Sequence, residues 1–116
     1  MRLSASAAER GFNAKIFDCI DRALGSLGEG VKQSFYHQMK KRSNLTIDKF
    51  ALRPQELIEN LRHILGVSGS TIVEKLIVRE IKASFGLQLR GGIELEEAIA
   101  EARKAFLVDA RDKEVY

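Results

Sequence analysis

The side chains best suited to nucleophilic or metal chemistry are those of Cys19, His37 and His63, the single cysteine and the two histidines of the sequence. A metal site needs clustered ligands at a regular spacing, and these three residues lie in three separate predicted helices. Cys19 falls in an apolar, helix-spaced run, where a cysteine usually acts as a small buried hydrophobic side chain. We therefore expect no catalytic residue, no metal site and no cofactor, and we predict that the protein is not an enzyme.

A second chemical feature is the glycine- and serine-rich turn GVSGST at residues 66–71. It lacks the lysine and the preceding strand of a P-loop, but it leads into a predicted helix. The first N–H groups of a helix have no partner within the helix, and the helix dipole favours an anion at that end. Ser68, Gly69, Ser70 and Thr71 are therefore a candidate anion site. The alternative is that Ser68 or Ser70 only caps the helix.

A third feature is the positive charge concentrated between residues 32 and 53. This segment has six cations and one acid, Asp48, so its local charge of +5 exceeds the net charge of +3 of the whole chain. Concentrated cations beside hydrogen-bonding side chains are typical of phosphate binding. The alternative is a solvated basic face, because cations near a helix C-terminus also complement its dipole. The candidate nucleic-acid contacts are Lys40, Lys41, Arg42, Lys49 and Arg53.

A helix-turn-helix is a further interpretation of residues 52–85, and it would place residues 68–74 in a groove of DNA. The turn is long for such a motif, and the second helix is apolar enough to be central to the fold. The polar residues expected on its exposed face also carry mixed charge, because two of the six are acids: Thr71, Glu74, Lys75, Arg79, Glu80 and Lys82.

The elements that must position these residues are helices, because apolar residues recur at helical spacing along most of the chain. Pro54 is predicted at the first position of a helix and Gly86 just after the end of one. Asp18 and Arg22 are spaced i, i+4 and are predicted to pair. The predicted helices cover residues 13–27, 31–42, 54–65, 70–85 and 93–108.

The fold class expected from this pattern is all-α, a single compact domain of about five helices with a central helical hairpin. The domain is predicted over residues 12–108, with a flexible N-terminus at residues 1–11 and a polar C-terminal tail at residues 109–116. The chain has 116 residues, with 45% hydrophobic and 30% charged, as in soluble globular domains. The sequence contains neither a signal peptide nor an apolar run of about 20 residues, so we expect a cytoplasmic protein without membrane contact.

The positions between residues 47 and 86 resemble a small archaeal family, the Nitrosopumilus output domain of the fifth type, whose members are helical and biochemically uncharacterised. The resemblance covers approximately residues 16–86. It implies an archaeal cytoplasmic protein with an output or adaptor role in signalling, and it supplies no catalytic or ligand residues. The positions that carry it are Ile47, Pro54, Leu61, Ile64, Leu65, Gly66, Gly69, Val73, Glu74 and Gly86.

Our leading functional hypothesis is a non-catalytic helical module for protein interaction or signalling output, with a protein partner that the sequence does not identify. Self-association is expected through the alanine-lined face of the last helix or through the helix at residues 70–85. That second helix carries apolar residues at positions 72, 73, 76, 77, 78 and 81, which is more than one packing seam requires. The alternative hypothesis is a nucleic-acid-binding protein that uses the basic segment at residues 32–53.

Overall fold

The computed structural model describes residues 2–46 and 49–114, and within them the side chains of residues 7–46 and 49–109. Met1, Ile47, Asp48, Val115 and Tyr116 therefore lie outside the described residues, including one position of the sequence resemblance and the acid of the basic segment. The described chain forms four helices and no strand, which confirms the all-α class. The helices are α1 (Arg2–Gly25), α2 (Glu29–Ser43), α3 (Pro54–Phe85) and α4 (Leu95–Glu114).

The number of helices is four and not five, because the two helices of the predicted hairpin form one element, α3. Its start at Pro54 and its end at Gly86 are as predicted, and Gly86 adopts a left-handed conformation that directs its N–H to the carbonyl of Lys82. The only non-helical residue inside α3 is Gly66, with φ 78° and ψ 170°. We refer to residues 54–65 and 67–85 as the first and second arms of α3.

The arms bend toward each other at Gly66. Arg62 Nε and Glu74 Oε2 lie 3.9 Å apart, although their residues would be separated by about 18 Å along a straight helix. Because the helix resumes directly after Gly66, Ser68 and Ser70 lie inside the second arm. The prediction that one of them caps a helix is therefore wrong.

The core lies where α1 and α3 meet the other helices. Each of these two packs against all three remaining helices, whereas α2 and α4 do not touch each other in the described part of the chain. The central position of α3 explains its wide apolar stripe, since Val73, Ile77 and Ile81 are all fully buried. Among the other fully buried side chains, the largest are Phe12, Phe35, Phe50, Ile16, Ile20, Leu24, Leu57, Leu61 and Leu95.

The helix at the N-terminus begins earlier than the sequence predicted. The predicted flexible segment at residues 1–11 is part of α1 from Arg2 onward. Phe12 is fully buried, and its ring centroid lies 5.7 Å from those of both Phe85 and Phe106. Glu9 pairs with Arg103 of α4 at 2.5 Å. These contacts join α1, α3 and α4.

The last helix also extends beyond its predicted end. Residues 109–114 of the predicted polar tail continue α4. The alanine-lined face of this helix is occupied within the chain itself, because Ala98 and Ala102 are fully buried. These two alanines of the face on which self-association was expected are therefore not exposed.

Candidate functional site

A groove of about 790 Å³ lies beside the bend of α3. One wall is the second arm, between residues 71 and 83, and the opposite wall is the segment of residues 90–95 that leads into α4. Arg62 of the first arm also lines it. We call this concave surface the kink groove. Its charged side chains are five cations and two acids, namely Arg62, Lys75, Arg79, Lys82, Arg90, Glu74 and Glu94.

Three of these cations form a continuous row, which we call the cation stripe. Lys75, Arg79 and Lys82 are all exposed and are spaced i, i+4 and i+7 on the second arm. This spacing places them on one face of the helix, over a length of about 10 Å. Within the described part of the chain, none of the three forms an ion pair. Their charge is therefore available to an external anion.

The two acids that weighed against a basic face on this helix are bound to other groups. Glu80 accepts a hydrogen bond from Arg22 Nε at 2.8 Å, so it points to α1. Glu74 accepts a hydrogen bond from Ser70 Oγ at 2.5 Å and lies near Arg62. Its side chain is 15% exposed. The cations of this helix therefore form a basic face, and the two acids that gave the sequence its mixed charge are bonded to other side chains.

The opposite wall contributes one cation and an apolar surface. Arg90 Nη2 donates to both carboxylate oxygens of Glu97, at 3.0 and 3.2 Å, in an exposed ion pair. Ile93 of this wall and Val78 of the second arm are half-buried, and Leu95 is buried. These three residues are the large apolar side chains among those that line the groove, and we call them the apolar floor.

The kink groove was not predicted from the sequence, although one signal for it was available. The i, i+4, i+7 spacing of the cation stripe is visible in the sequence, but the charge of Glu74 and Glu80 concealed it. No sequence pattern indicated that Arg62 and Arg90 would join the stripe. The positions of Arg62 and Arg90 beside the stripe depend on the bend at Gly66 and on the path of the segment before α4.

The candidate anion site, by contrast, is not assembled as a set of free donors. Ser70 is fully buried and its hydroxyl donates to Glu74, while the Thr71 hydroxyl donates to the Val67 carbonyl at 2.9 Å. Ser68 is exposed and Gly69 is half-buried. Of the four predicted residues, Thr71 lines the kink groove. The half-buried carboxylate of Glu74 disfavours a second anion beside Ser70.

The candidate nucleic-acid contacts of the basic segment are all exposed, but they do not share one face. Lys40, Lys41 and Arg42 end α2 and, at 100° per residue, fan over about 200° of its circumference. Arg42 Nε donates to Asn60 Oδ1 at 3.3 Å, and Arg53 Nη1 pairs with Glu56 at 3.2 Å. The structure therefore brings Arg42 and Arg53 to one edge of the first arm, while Lys40, Lys41 and Lys49 are exposed.

The edge of the first arm that meets the basic segment is not the edge that lines the kink groove. Asn60 and Arg62 are two residues apart, so their side chains project about 200° apart around the helix. Lys32, also in the basic segment, is occupied elsewhere, because its Nζ lies 3.3 Å from Asp21 Oδ2 and 3.3 Å from Glu29 Oε1. The basic segment and the kink groove are separate surfaces.

Cys19 is fully buried, as predicted, and desolvation by burial raises the pKa of its thiol. A raised pKa keeps a thiol protonated and weakens it as a nucleophile. Among the side chains that the structure describes, His, Cys, Asp and Glu residues form no group of three that could hold a metal ion.

Comparison with known proteins gives no family for the chain. A scan against protein-family models found no match, and searches of curated proteins and of solved structures found none either. The resemblance to the output-domain family therefore stays a prediction from the sequence. Within residues 2–46 and 49–114, none of the helices combines the length and apolar character needed to cross a bilayer.

Proposed function

We propose that the protein is a non-catalytic nucleic-acid-binding module and that the kink groove holds the phosphate backbone. The observation that supports this function is the cation stripe, three exposed side chains in one row without ion-pair partners in the described chain. Cations placed in this way release counterions from nucleic acid when they bind its phosphates. Arg62 and Arg90 also line the same groove, each of them paired with an acid, Glu74 and Glu97 respectively. The proposed site is therefore on the second arm of α3 and not on the basic segment.

The test is the binding of a labelled generic DNA duplex and of single-stranded RNA at low and near-physiological salt. A triple variant that combines Lys75→Ala, Arg79→Ala and Lys82→Ala removes the cation stripe. We expect its affinity at low salt to fall at least about tenfold. The slope of log affinity against log salt should decrease by about 2–3, because up to three phosphate contacts are lost.

The matched control removes the same charge from the other surface. Lys40→Ala, Lys41→Ala and Lys49→Ala replace three exposed cations of the basic segment. We expect this variant to keep most of the affinity and to lose only the small, long-range part of the attraction. If this control loses binding and the stripe variant retains it, the nucleic-acid site is on the basic segment and not in the kink groove. No binding at low salt by the unmodified chain would reject the function.

A second candidate function is protein interaction, including self-association, and one observation favours it. Val67 and Ile72, which follow the bend of α3, are 74% and 56% exposed. Exposed apolar side chains are typical of interaction sites when they belong to one contiguous patch. Sedimentation over a wide concentration range tests this: a dimer that dissociates in the Val67→Ser, Ile72→Ser variant would support it, and a monomer throughout would contradict self-association.

The output or adaptor role in signalling, the archaeal origin and the cytoplasmic location remain proposals that rest on the sequence alone. The role would be supported by a signalling protein that binds this chain and loses its regulation when the chain is removed. Nucleic-acid binding and an output role are compatible, since a regulator can act through the nucleic acid that it binds.

A further inference from the structure

We infer that the kink groove selects single-stranded nucleic acid over a duplex, an inference that rests on the proposed function. Its basis is the arrangement of the groove rather than its charge. The cation stripe lies on one wall and Arg90 on the other, and the apolar side chains of Val78, Ile93 and Leu95 line the same groove. A ligand that fits must therefore offer anions at its edges and apolar surface to the floor.

A single strand has this chemistry and a duplex does not. In a duplex the flat faces of the bases are stacked on one another, so only phosphates and base edges are presented. An unpaired strand exposes the faces of its bases, which can lie against apolar side chains while its backbone follows a positive groove. Stacking of one base contributes about 1–3 kcal/mol to binding. The apolar floor would thus be covered by bases and left uncovered by a duplex.

The shape of the site leads to the same choice. Proteins read a duplex by inserting a helix or a β-ribbon into a groove about 12 Å wide, which requires a protruding element. The kink groove is concave and open to solvent, with a volume of about 790 Å³. A duplex could contact only the cations at the edge of the kink groove, whereas a few nucleotides of a single strand can enter the groove.

The guanidinium groups add a specific contact. Arg62 and Arg79 line the groove with Arg90, and a guanidinium plane can stack on a base as well as pair with a phosphate. Arg90 already donates to Glu97 through Nη2 in an exposed pair, so a nucleotide would contact the remaining part of its guanidinium.

The experiment compares three labelled oligonucleotides of about twelve nucleotides at one salt concentration, using fluorescence anisotropy with the full chain. They are a single strand, the blunt duplex of the same sequence, and a single strand whose bases have been removed. The base-free strand keeps the phosphates, so it isolates the contribution of the bases. We expect the single strand to bind at least about tenfold more tightly than either of the others, which is the effect of about 1.4 kcal/mol.

A variant of the floor provides the matched mutational test. Val78→Thr keeps the size and shape of the side chain but makes the floor polar, and we expect it to weaken the single strand several-fold while leaving the duplex and the base-free strand unchanged. Val31→Thr changes an exposed valine of α2 outside the groove and should alter none of the three affinities. Thermal unfolding of both variants verifies that they fold.

The outcomes distinguish this inference from the function on which it rests. A duplex or base-free strand that binds as tightly as the single strand overturns the selection for unpaired bases and leaves nucleic-acid binding standing. Failure of all three oligonucleotides to bind at low salt overturns both. Displacement of the single strand by poly-glutamate at equal charge would also overturn the selection, because it would assign the groove to acidic protein segments.

Discussion

At the scale of single residues, Asp21 links two helices through one carboxylate. Its Oδ1 accepts a hydrogen bond from the Tyr36 hydroxyl at 3.0 Å, and its Oδ2 accepts one from Lys32 at 3.3 Å. Burial of the phenol raises the pKa of Tyr36 above its usual 10.0, and the hydrogen bond to Asp21 raises it further. The ring of Tyr36 also lies 6.0 Å from that of Phe17 and 6.4 Å from that of Phe50.

The raised pKa makes the stability of the fold depend on pH in the alkaline range. Because the folded state keeps the phenol proton where the unfolded chain loses it, ionisation favours the unfolded state. The contribution is complete below about pH 10 and is lost as the pH rises above it. We expect the free energy of unfolding, measured with urea, to fall between about pH 9 and pH 11, and to fall less in Tyr36→Phe. Equal losses in the two proteins would contradict this assignment.

Residue pairs were the least predictable level of the structure. The i, i+4 spacing of Asp18 and Arg22 predicted a pair on one helix, but Arg22 bonds to Glu80 and Ser84 of α3. Spacing alone identifies the acids within reach of a cation along its own helix, and it cannot include an acid 58 residues away. The burial of Cys19 was predictable, because it follows from the apolar period of its own helix.

At the scale of elements, the conformation of Gly66 gives α3 its two arms. Its φ of 78° and ψ of 170° lie in a region that is populated almost only by glycine. A Cβ at this position would meet no other atom within 4 Å, so a substitution would act through backbone conformation and not through a clash. The bend also brings Arg62 close to Glu74. Arg62 thereby lines the kink groove together with the second arm and residues 90–95.

We predict that Gly66→Ala lowers the free energy of unfolding by about 1–3 kcal/mol. The matched control is Gly30→Ala in α2, a helical glycine that also has no neighbour within 4 Å of its Cβ position. That variant should gain about 0.5–1 kcal/mol, because alanine is the better helix former. Urea titration measures both, and a neutral Gly66→Ala would mean that the bend is not held by this residue.

Element ends with local signals were predictable from the sequence, and those without such signals were not. Pro54 and Gly86 mark the ends of α3 because proline and glycine act on their own backbone. The early start of α1 had no such marker, since residues 2–11 contain small and polar side chains without an apolar period. Helix in that segment is favoured by its packing on α4 through Glu9 and Phe12.

At the scale of the whole molecule, three phenylalanine rings join α1, α3 and α4. The rings of Phe12, Phe85 and Phe106 are in mutual contact, with centroids 5.7 to 6.2 Å apart. The guanidinium of Arg103 lies 4.8 Å from the centroid of Phe12 and covers that ring. Gly11 packs against the same cluster, since a Cβ at its position would lie 3.4 Å from the Phe106 ring, in ordinary van der Waals contact.

We predict that Phe12→Ala lowers the free energy of unfolding by about 3–5 kcal/mol, since it leaves a cavity among the three helices. Phe12→Leu should lose about 1–2 kcal/mol, because it retains most of the buried volume and loses the ring contacts. Chemical denaturation measures both values, and the leucine variant keeps the test valid if the alanine variant does not fold. A loss below about 1 kcal/mol in Phe12→Ala would mean that this part of α1 is not docked.

The candidate site was less predictable than the fold because it is a property of the whole molecule. Each helix has its own apolar period, so the all-α class could be read locally. The kink groove needs Arg62, the cation stripe and Arg90 in one place, and only the packed arrangement of α3 and the segment before α4 brings them there. The sequence showed the charges of these residues. It did not show that the nearby acids Glu74 and Glu80 would be bonded to other groups.

The pairing of Glu9 with Arg103 has a consequence for synthesis on the ribosome. These residues are 94 positions apart, and at about 5–20 residues per second their translation is separated by roughly 5–20 seconds. During that interval Phe12 lacks the ring of Phe106 that it contacts in the fold, because residue 106 has not yet been synthesised. The nascent chain thus carries an uncovered aromatic surface until α4 emerges, and this interval is when a holdase chaperone would recognise it.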